Sequence, residues 1–126
     1  MNVYAVIVAA ISSFVLGGLW YSPLLLGKAW NRANGGLPPP GHPARVFGIS
    51  LLFSLLAAAA FAWLLGPAPD LGQALLTALM VGGGMVAASF GINYQFSQRA
   101  PLLWVIDGGY HLLQFLLFAV VLGLLH

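Results

Sequence analysis

Asp107 and His111 stand four residues apart inside Leu102–Leu125, a hydrophobic stretch long enough to cross a bilayer as a helix. On a helix this spacing stacks the two side chains on one face. A carboxylate and an imidazole so placed can bind an ion or a hydrogen-bonding solute, or hand a proton from one to the other. The same pair can also form a plain hydrogen bond that glues helices together. Location makes the choice matter: a carboxylate at lipid depth costs about 2.5–3.5 kcal/mol on insertion scales. The chain has only six Asp, Glu, Lys and Arg residues in all, so one at this depth needs compensation.

The face that carries the pair reads Leu103, Asp107, Tyr110, His111, Gln114 and Phe118. With a rise of about 1.5 Å per residue, Asp107 lies about 9 Å inward from Pro101, His111 about 15 Å and Gln114 about 20 Å, which puts His111 near the midplane. The preceding apolar run offers a matching stripe, Gly82, Val86, Ser89, Asn93 and Ser97. There Asn93 sits about 6 Å from Ser97, at a depth similar to that of Asp107. The first run adds Ser13, Gly17, Trp20 and Tyr21, and the second adds Ser50 and Ser54. The expectation is a polar cluster whose ligand-binding or proton-relay members are Asp107, His111, Asn93, Tyr110, Gln114, Trp20 and Tyr21. Lipid cannot satisfy such groups, so they must face protein or a hydrated cavity.

Other chemistries find less support. A metal site needs three or four convergent ligands, whereas His42 and His126 fall in a loop and at the opposite end of the chain. Neither a metal nor any other cofactor is expected. There is no Gly-x-Ser-x-Gly elbow, no phosphate-cradling loop and no His-Glu-x-x-His helix, and Gly82-Gly83-Gly84 is not followed by Lys and Ser or Thr. Catalysis therefore has no positive motif; an enzyme acting on a lipid or quinone-like substrate would rest only on an Asp, a His and a Tyr lying close together. Without cysteine there is neither a disulfide framework nor thiolate chemistry. Four basic residues are too few for a nucleic-acid footprint.

The elements that hold these residues are legible from composition. Of 126 residues, 61% are hydrophobic and 5% charged, against about a quarter charged in soluble domains, and the mean hydropathy is +0.98. Residues 1–126 read as a single transmembrane domain with helices at about 3–26, 46–65, 71–96 and 102–125. The first lacks the basic flank of a secretory signal and ends in Trp20-Tyr21-Ser22-Pro23, which suits an interfacial belt, so it reads as a retained helix. Loops two and three are short, which predicts antiparallel packing of helix two on three and of three on four, in an all-α, four-helix up-and-down bundle.

Lys28, Arg32 and Arg45 lie in loop one, residues 27–45, and Arg99 lies in loop three, while 66–70 carries no cation. The positive-inside rule then makes loops one and three cytoplasmic and leaves both termini outside. Lys28, Trp30, Arg32, Arg45 and Arg99 are expected at the lipid headgroups. From Gly35 to Pro43 the loop should be irregular or polyproline-like, with a weak docking signal. Gly17-Gly18, Gly82-Gly83-Gly84, Gly108-Gly109 and Ala57–Ala60 suit close helix approach, and the mid-membrane triplet would alternatively permit a bend or a broken helix. Pro23 should end or kink the first helix.

The run Gly18-Leu19-Trp20-Tyr21-Ser22-Pro23-Leu24-Leu25-Leu26-Gly27-Lys28-Ala29-Trp30, with Gly91-Ile92-Asn93-Tyr94 and Gly109-Tyr110-His111-Leu112 beyond it, resembles the family called domain of unknown function 1761. The resemblance covers nearly the whole chain. It implies a small four-helix membrane protein of the kind found mainly in bacteria, hence the cytoplasmic membrane, and supplies no activity.

Two functions fit these readings. One is proton- or small-solute-linked binding or permeation at the polar cluster, completed by homo-oligomer formation because four helices enclose little space. The alternative is an accessory or scaffolding subunit of a larger membrane complex, suggested by the slight extramembrane mass and the small-residue faces. The partners expected are membrane lipids together with further copies of the chain or other subunits.

Overall fold

In a computed structural model, which describes residues 2–36 and 43–126, these segments form helices and turns with no strand. Helix α1 is Val3–Trp20, α2 Gly27–Ala33 and α3 Pro43–Leu65. A composite rod follows, made of α4 Leu71–Ala78, a π-helical segment Leu79–Ala87 and α5 Ala88–Phe96. Helix α6 is Pro101–Leu125. Val3–Trp20, Ala44–Leu65, Leu71–Phe96 and Pro101–Leu125 are each long and apolar enough to cross a membrane. The proline-rich part of loop one, with His42, lies outside the described residues.

Local chemistry sets the helix ends. The Asn2 side chain accepts from the Ala5 N–H at 3.2 Å, and Asp70 accepts from the Gln73 N–H at 3.1 Å. Each cap supplies an acceptor that a first helical turn lacks. Pro101 opens α6, where its missing N–H costs nothing.

Helix α1 is shorter than its apolar run. The hydrophobic residues continue to Leu26, but Pro23 has no N–H to extend the ladder. Instead the chain turns: Leu26 N–H reaches back to the Trp20 carbonyl at 3.0 Å, and Gly27 N–H to that of Ser22 at 2.9 Å. A Cβ on Gly27 would sit 2.3 Å from the Tyr21 carbonyl oxygen, so only glycine fits this close approach. Helix α2 begins there and folds back toward the bundle.

Helix α1 packs between α3 and α6, and α6 packs on the composite rod. The lateral order is therefore α3, α1, α6, rod. The expected packing of the third span on the fourth is present. The expected packing of the second on the third is not: residues 66–70 bring the ends of α3 and α4 together, but the two helices make no extended contact along their lengths. A short loop constrains ends, not faces.

Small residues make the close approaches. Ala5, Ala9 and Ala10 of α1, Ala58 and Ala62 of α3, and Ala74 and Ala78 of α4 are buried, around the rings of Phe61, Phe115 and Phe118. Phe115 meets Phe61 and Phe118 edge-on, with centroids 5.4 and 5.3 Å apart. Such contacts replace the hydrophobic effect, which offers no driving force between helices in lipid. Large apolar groups such as Ile11, Leu52, Trp63 and Phe96 point outward, as lipid-facing residues do.

The glycine triplet combines both roles considered for it. A Cβ on Gly82 would lie 3.1 Å from the Phe115 Cβ and 3.2 Å from the His111 carbonyl oxygen, so its absence brings the rod against α6. The surrounding turns are wound as a π-helix. Because i→i+5 bonding takes up extra residues per turn, faces beyond it shift by about one position relative to α-helical spacing. The expected stripe of Val86, Ser89 and Asn93 accordingly gives way to Ala87, Phe90 and Tyr94: Ser89 and Asn93 are exposed, whereas Ala87 is buried and Phe90 and Tyr94 are half-buried.

Candidate functional site

The polar residues divide into two stations. At the first, Asp107 is 8% exposed and accepts hydrogen bonds from three elements. Tyr21 Oη donates to Oδ1 at 2.6 Å, Trp30 Nε1 to the same oxygen at 3.0 Å, and Tyr94 Oη to Oδ2 at 2.5 Å. An indole N–H can only donate, and the carboxylate oxygens supply the matching acceptors. Bonds of this kind compensate much of the cost of taking a carboxylate out of water. Tyr21, just beyond the α1 span, has its hydroxyl pushed above the ordinary phenol range, first by burial and then by the bond to Asp107. It stays a donor.

Neighbouring contacts hold this station in place. Trp20 Nε1 donates to the Ile106 carbonyl at 2.9 Å, and Tyr110 Oη to the Ser13 carbonyl at 3.0 Å. Both bonds tie α1 to α6. Trp104 Nε1 reaches the Ala87 carbonyl, at the end of the π segment, at 2.8 Å. Arg99 lies over the Tyr94 ring, 5.3 Å from its centroid, and donates to the Asn34 side chain, so loops one and three meet at this end of the molecule.

The second station lies one turn deeper. His111 does not bond to Asp107. Its Nδ1 pairs with Gln114 Oε1 at 2.7 Å, and its ring stacks on Phe90 with centroids 4.9 Å apart and planes 17° from parallel. His111 and Gln114 line a groove of about 570 Å³ on the side where α3 and the rod stand apart, with Phe53, Ser54, Ala57 and Val86 among its walls. Tyr21 joins the stations: it borders the groove, and its hydroxyl bonds Asp107.

The single cluster expected from the sequence is thus a sealed Asp107 station beside an open His111–Gln114 station. Trp20, Tyr21 and Tyr110 lie at or between them. Asn93 belongs to neither, since its side chain is exposed and Tyr94 takes the place expected of it. Lys28, Arg32, Arg45 and Arg99 are exposed, whereas Trp30, expected at the headgroups, turns its N–H inward to Asp107. Tyr94, Phe90 and the inward role of Trp30 were missed. Tyr94 and Trp30 do stand in the segments that carry the family resemblance, the one signal that pointed to them. Among the described residues no three of His, Cys, Asp and Glu converge as metal ligands.

A helical chain with four membrane-length apolar spans and a buried carboxylate held by aromatic donors belongs to the class of small multi-pass membrane proteins. More narrowly, it belongs to the family described as protein of unknown function (DUF1761), whose model matches residues 4–123. No curated protein and no solved structure gave a significant match.

Proposed function

We propose that this protein binds a small hydrogen-bonding molecule within the bilayer, at His111 and Gln114, in a binding or permeation role linked to proton exchange at the imidazole. The groove of about 570 Å³ carries this reading, because it brings an imidazole and an amide to an otherwise largely apolar wall. That volume lies in the range of small-molecule sites. Polar groups facing such a wall gain from a partner that lipid tails cannot provide. Asp107 takes the supporting role: through Tyr21 and Tyr94 it fixes two of the elements that frame the groove. The site of action is the bacterial cytoplasmic membrane, with loops one and three inside by the charge bias.

Proteoliposomes loaded with a pH-sensitive dye, and in parallel subjected to osmotic swelling in small neutral solutes, test this function. The wild type should show a proton or solute flux that His111→Phe and Gln114→Leu both reduce. Equal flux in all three proteins would remove the proposed role.

A second reading draws on the same opening. Helices α3 and the rod leave a lateral gap that a helix of another subunit would close, making the chain an accessory or scaffolding component of a larger membrane complex. Native mass spectrometry from mild detergent separates the cases: a stable hetero-complex supports this reading, and a lone homodimer or a monomer counts against it.

A further inference from the structure

We propose that the outward face of α2 docks the head group of an anionic phospholipid; this surface is separate from the groove and stands whether or not the groove binds a solute. The starting point is how α2 is held. Trp30 turns its N–H inward to Asp107 at 3.0 Å and its ring meets Tyr21 edge-on, so one face of the helix is fixed against the bundle. At about 100° per residue, Lys28, Asn31 and Arg32 fall together on the opposite face. All three are exposed, and their side chains make no hydrogen bond among the described residues. Arg99 comes to the same helix from loop three, donating to Asn34 just beyond its end. Three cations and an amide thus gather on one short helix whose orientation is set by its other face.

Nothing anionic in the chain answers them. Its two acids are Asp70, which caps α4 at the opposite end of the rod, and Asp107, already held by three neutral donors. The complementary charge must come from outside, and the turn before α2 says from where. Leu24 and Leu25 are 87% and 57% exposed there. Apolar side chains so displayed gain by entering a membrane interface and gain nothing from a soluble acidic partner. Lys28 follows Leu25 by three residues, within about 10 Å of chain, which sets the cations at head-group depth while the leucines reach the acyl region. Lys28 and Arg32, a turn apart, carry their charges on long side chains that can converge on one phosphate, with Asn31 between them as a further donor. Arg45 carries the same charge without sharing this surface: α2 packs on α6, whereas Arg45 rides on α3, across α1 from α6.

Native mass spectrometry with added lipid tests the surface. The full chain in mild detergent is titrated with phosphatidylglycerol and phosphatidylcholine of identical acyl chains, and the bound-lipid adducts of each are compared. Each cation near an anionic head group contributes about fivefold in affinity, so phosphatidylglycerol should be retained at least about tenfold over phosphatidylcholine. Lys28→Gln and Arg32→Gln should each cut that excess about fivefold, and Arg32→Lys should keep most of it. Arg45→Gln makes the same change in net charge and should leave the excess intact. All these positions are exposed, so the substitutions leave the packed core untouched. Glycerophosphoglycerol, the head group without chains, should not compete, and neither should a short polyglutamate peptide. Competition by either at the lipid's own concentration would overturn the membrane as the partner. Equal retention of the two lipids would overturn the surface itself, as would a loss in Arg45→Gln as large as in Arg32→Gln, because overall charge would then account for the binding.

Discussion

Replacing Asp107 with Asn tests whether the buried carboxylate organises this end of the molecule. An Asn oxygen in the place of Oδ1 can still accept from Tyr21 and Trp30, but as a neutral group, while the amide nitrogen faces the Tyr94 hydroxyl, which now donates to Oδ2 at 2.5 Å. Hydrogen bonds to a charged group contribute about 1.5–3 kcal/mol and neutral ones about 0.5–1.5, so exchanging three charged bonds for neutral ones, with the Tyr94 hydroxyl turned to accept from the amide, should cost about 3 kcal/mol. Asp107→Leu strands all three donors; because they are only partly buried, the cost should be about 3–5 kcal/mol. Trp30→Phe keeps an aromatic ring against Tyr21 and deletes one N–H, for about 1–2 kcal/mol. The Asp107→Asn, Trp30→Phe double variant should fall short of additivity by about 1 kcal/mol, since the two share a bond. Reversible denaturation in detergent measures each value. The absence of native cysteine makes a second assay clean: a thiol introduced as Ala33→Cys at the end of α2 should react faster with maleimide once Trp30 loses its anchor. If Asp107→Asn lies within about 0.5 kcal/mol of the wild type and the thiol reacts no faster, the network does not hold α2 and the reasoning fails.

Four further substitutions probe the backbone. Gly27→Ala puts a methyl against main-chain atoms of Tyr21 and Ser22 and should destabilise by about 1–3 kcal/mol, seen as a lower melting temperature with faster labelling of α2. Gly82→Leu should wedge the rod from α6 at a similar cost of about 1–3 kcal/mol. Gly84→Leu, where nothing lies within 4 Å, should stay within about 0.5 kcal/mol; equal melting temperatures for these two would refute the assigned packing. In Gly91→Ala the new methyl meets the Trp104 indole nitrogen at 3.1 Å, so the bond to the Ala87 carbonyl should lengthen, and the indole N–H should exchange faster by NMR than in the wild type.

The four spans were legible because some twenty apolar residues in a row have few other uses. What the hydrophobic pattern could not carry was direction. Ser22–Leu26 is apolar enough to extend the first helix, yet the chain turns there, because Pro23 and the close approach at Gly27 act on the backbone and not on polarity. Likewise Asn93 shares a depth with Asp107, but spacing by 3.6 residues assumes an unbroken α-helix, and the π segment moves the facing position to Tyr94. Asp107 and His111 do share a helix and a neighbourhood. Each finds a better partner than the other: three aromatic donors for Asp107, and the next polar residue along the helix for His111. Those choices depend on which helices flank α6, and lateral order is not written in the length of a loop.

The central place of α6 also bears on how the molecule is made. Helices leave the insertion machinery in chain order, so α1 and α3 can pair early, whereas the composite rod has no extended mate until α6 arrives. Until then the indoles of Trp20 and Trp30 and the hydroxyls of Tyr21 and Tyr94 wait without their acceptors on Ile106 and Asp107. The same late event lets the Asn2 side chain donate to the Leu125 carbonyl at 2.8 Å. A chain halted before Pro101 would therefore leave four aromatic donors without these acceptors, so pairing at this end of the molecule depends on the last of the four spans.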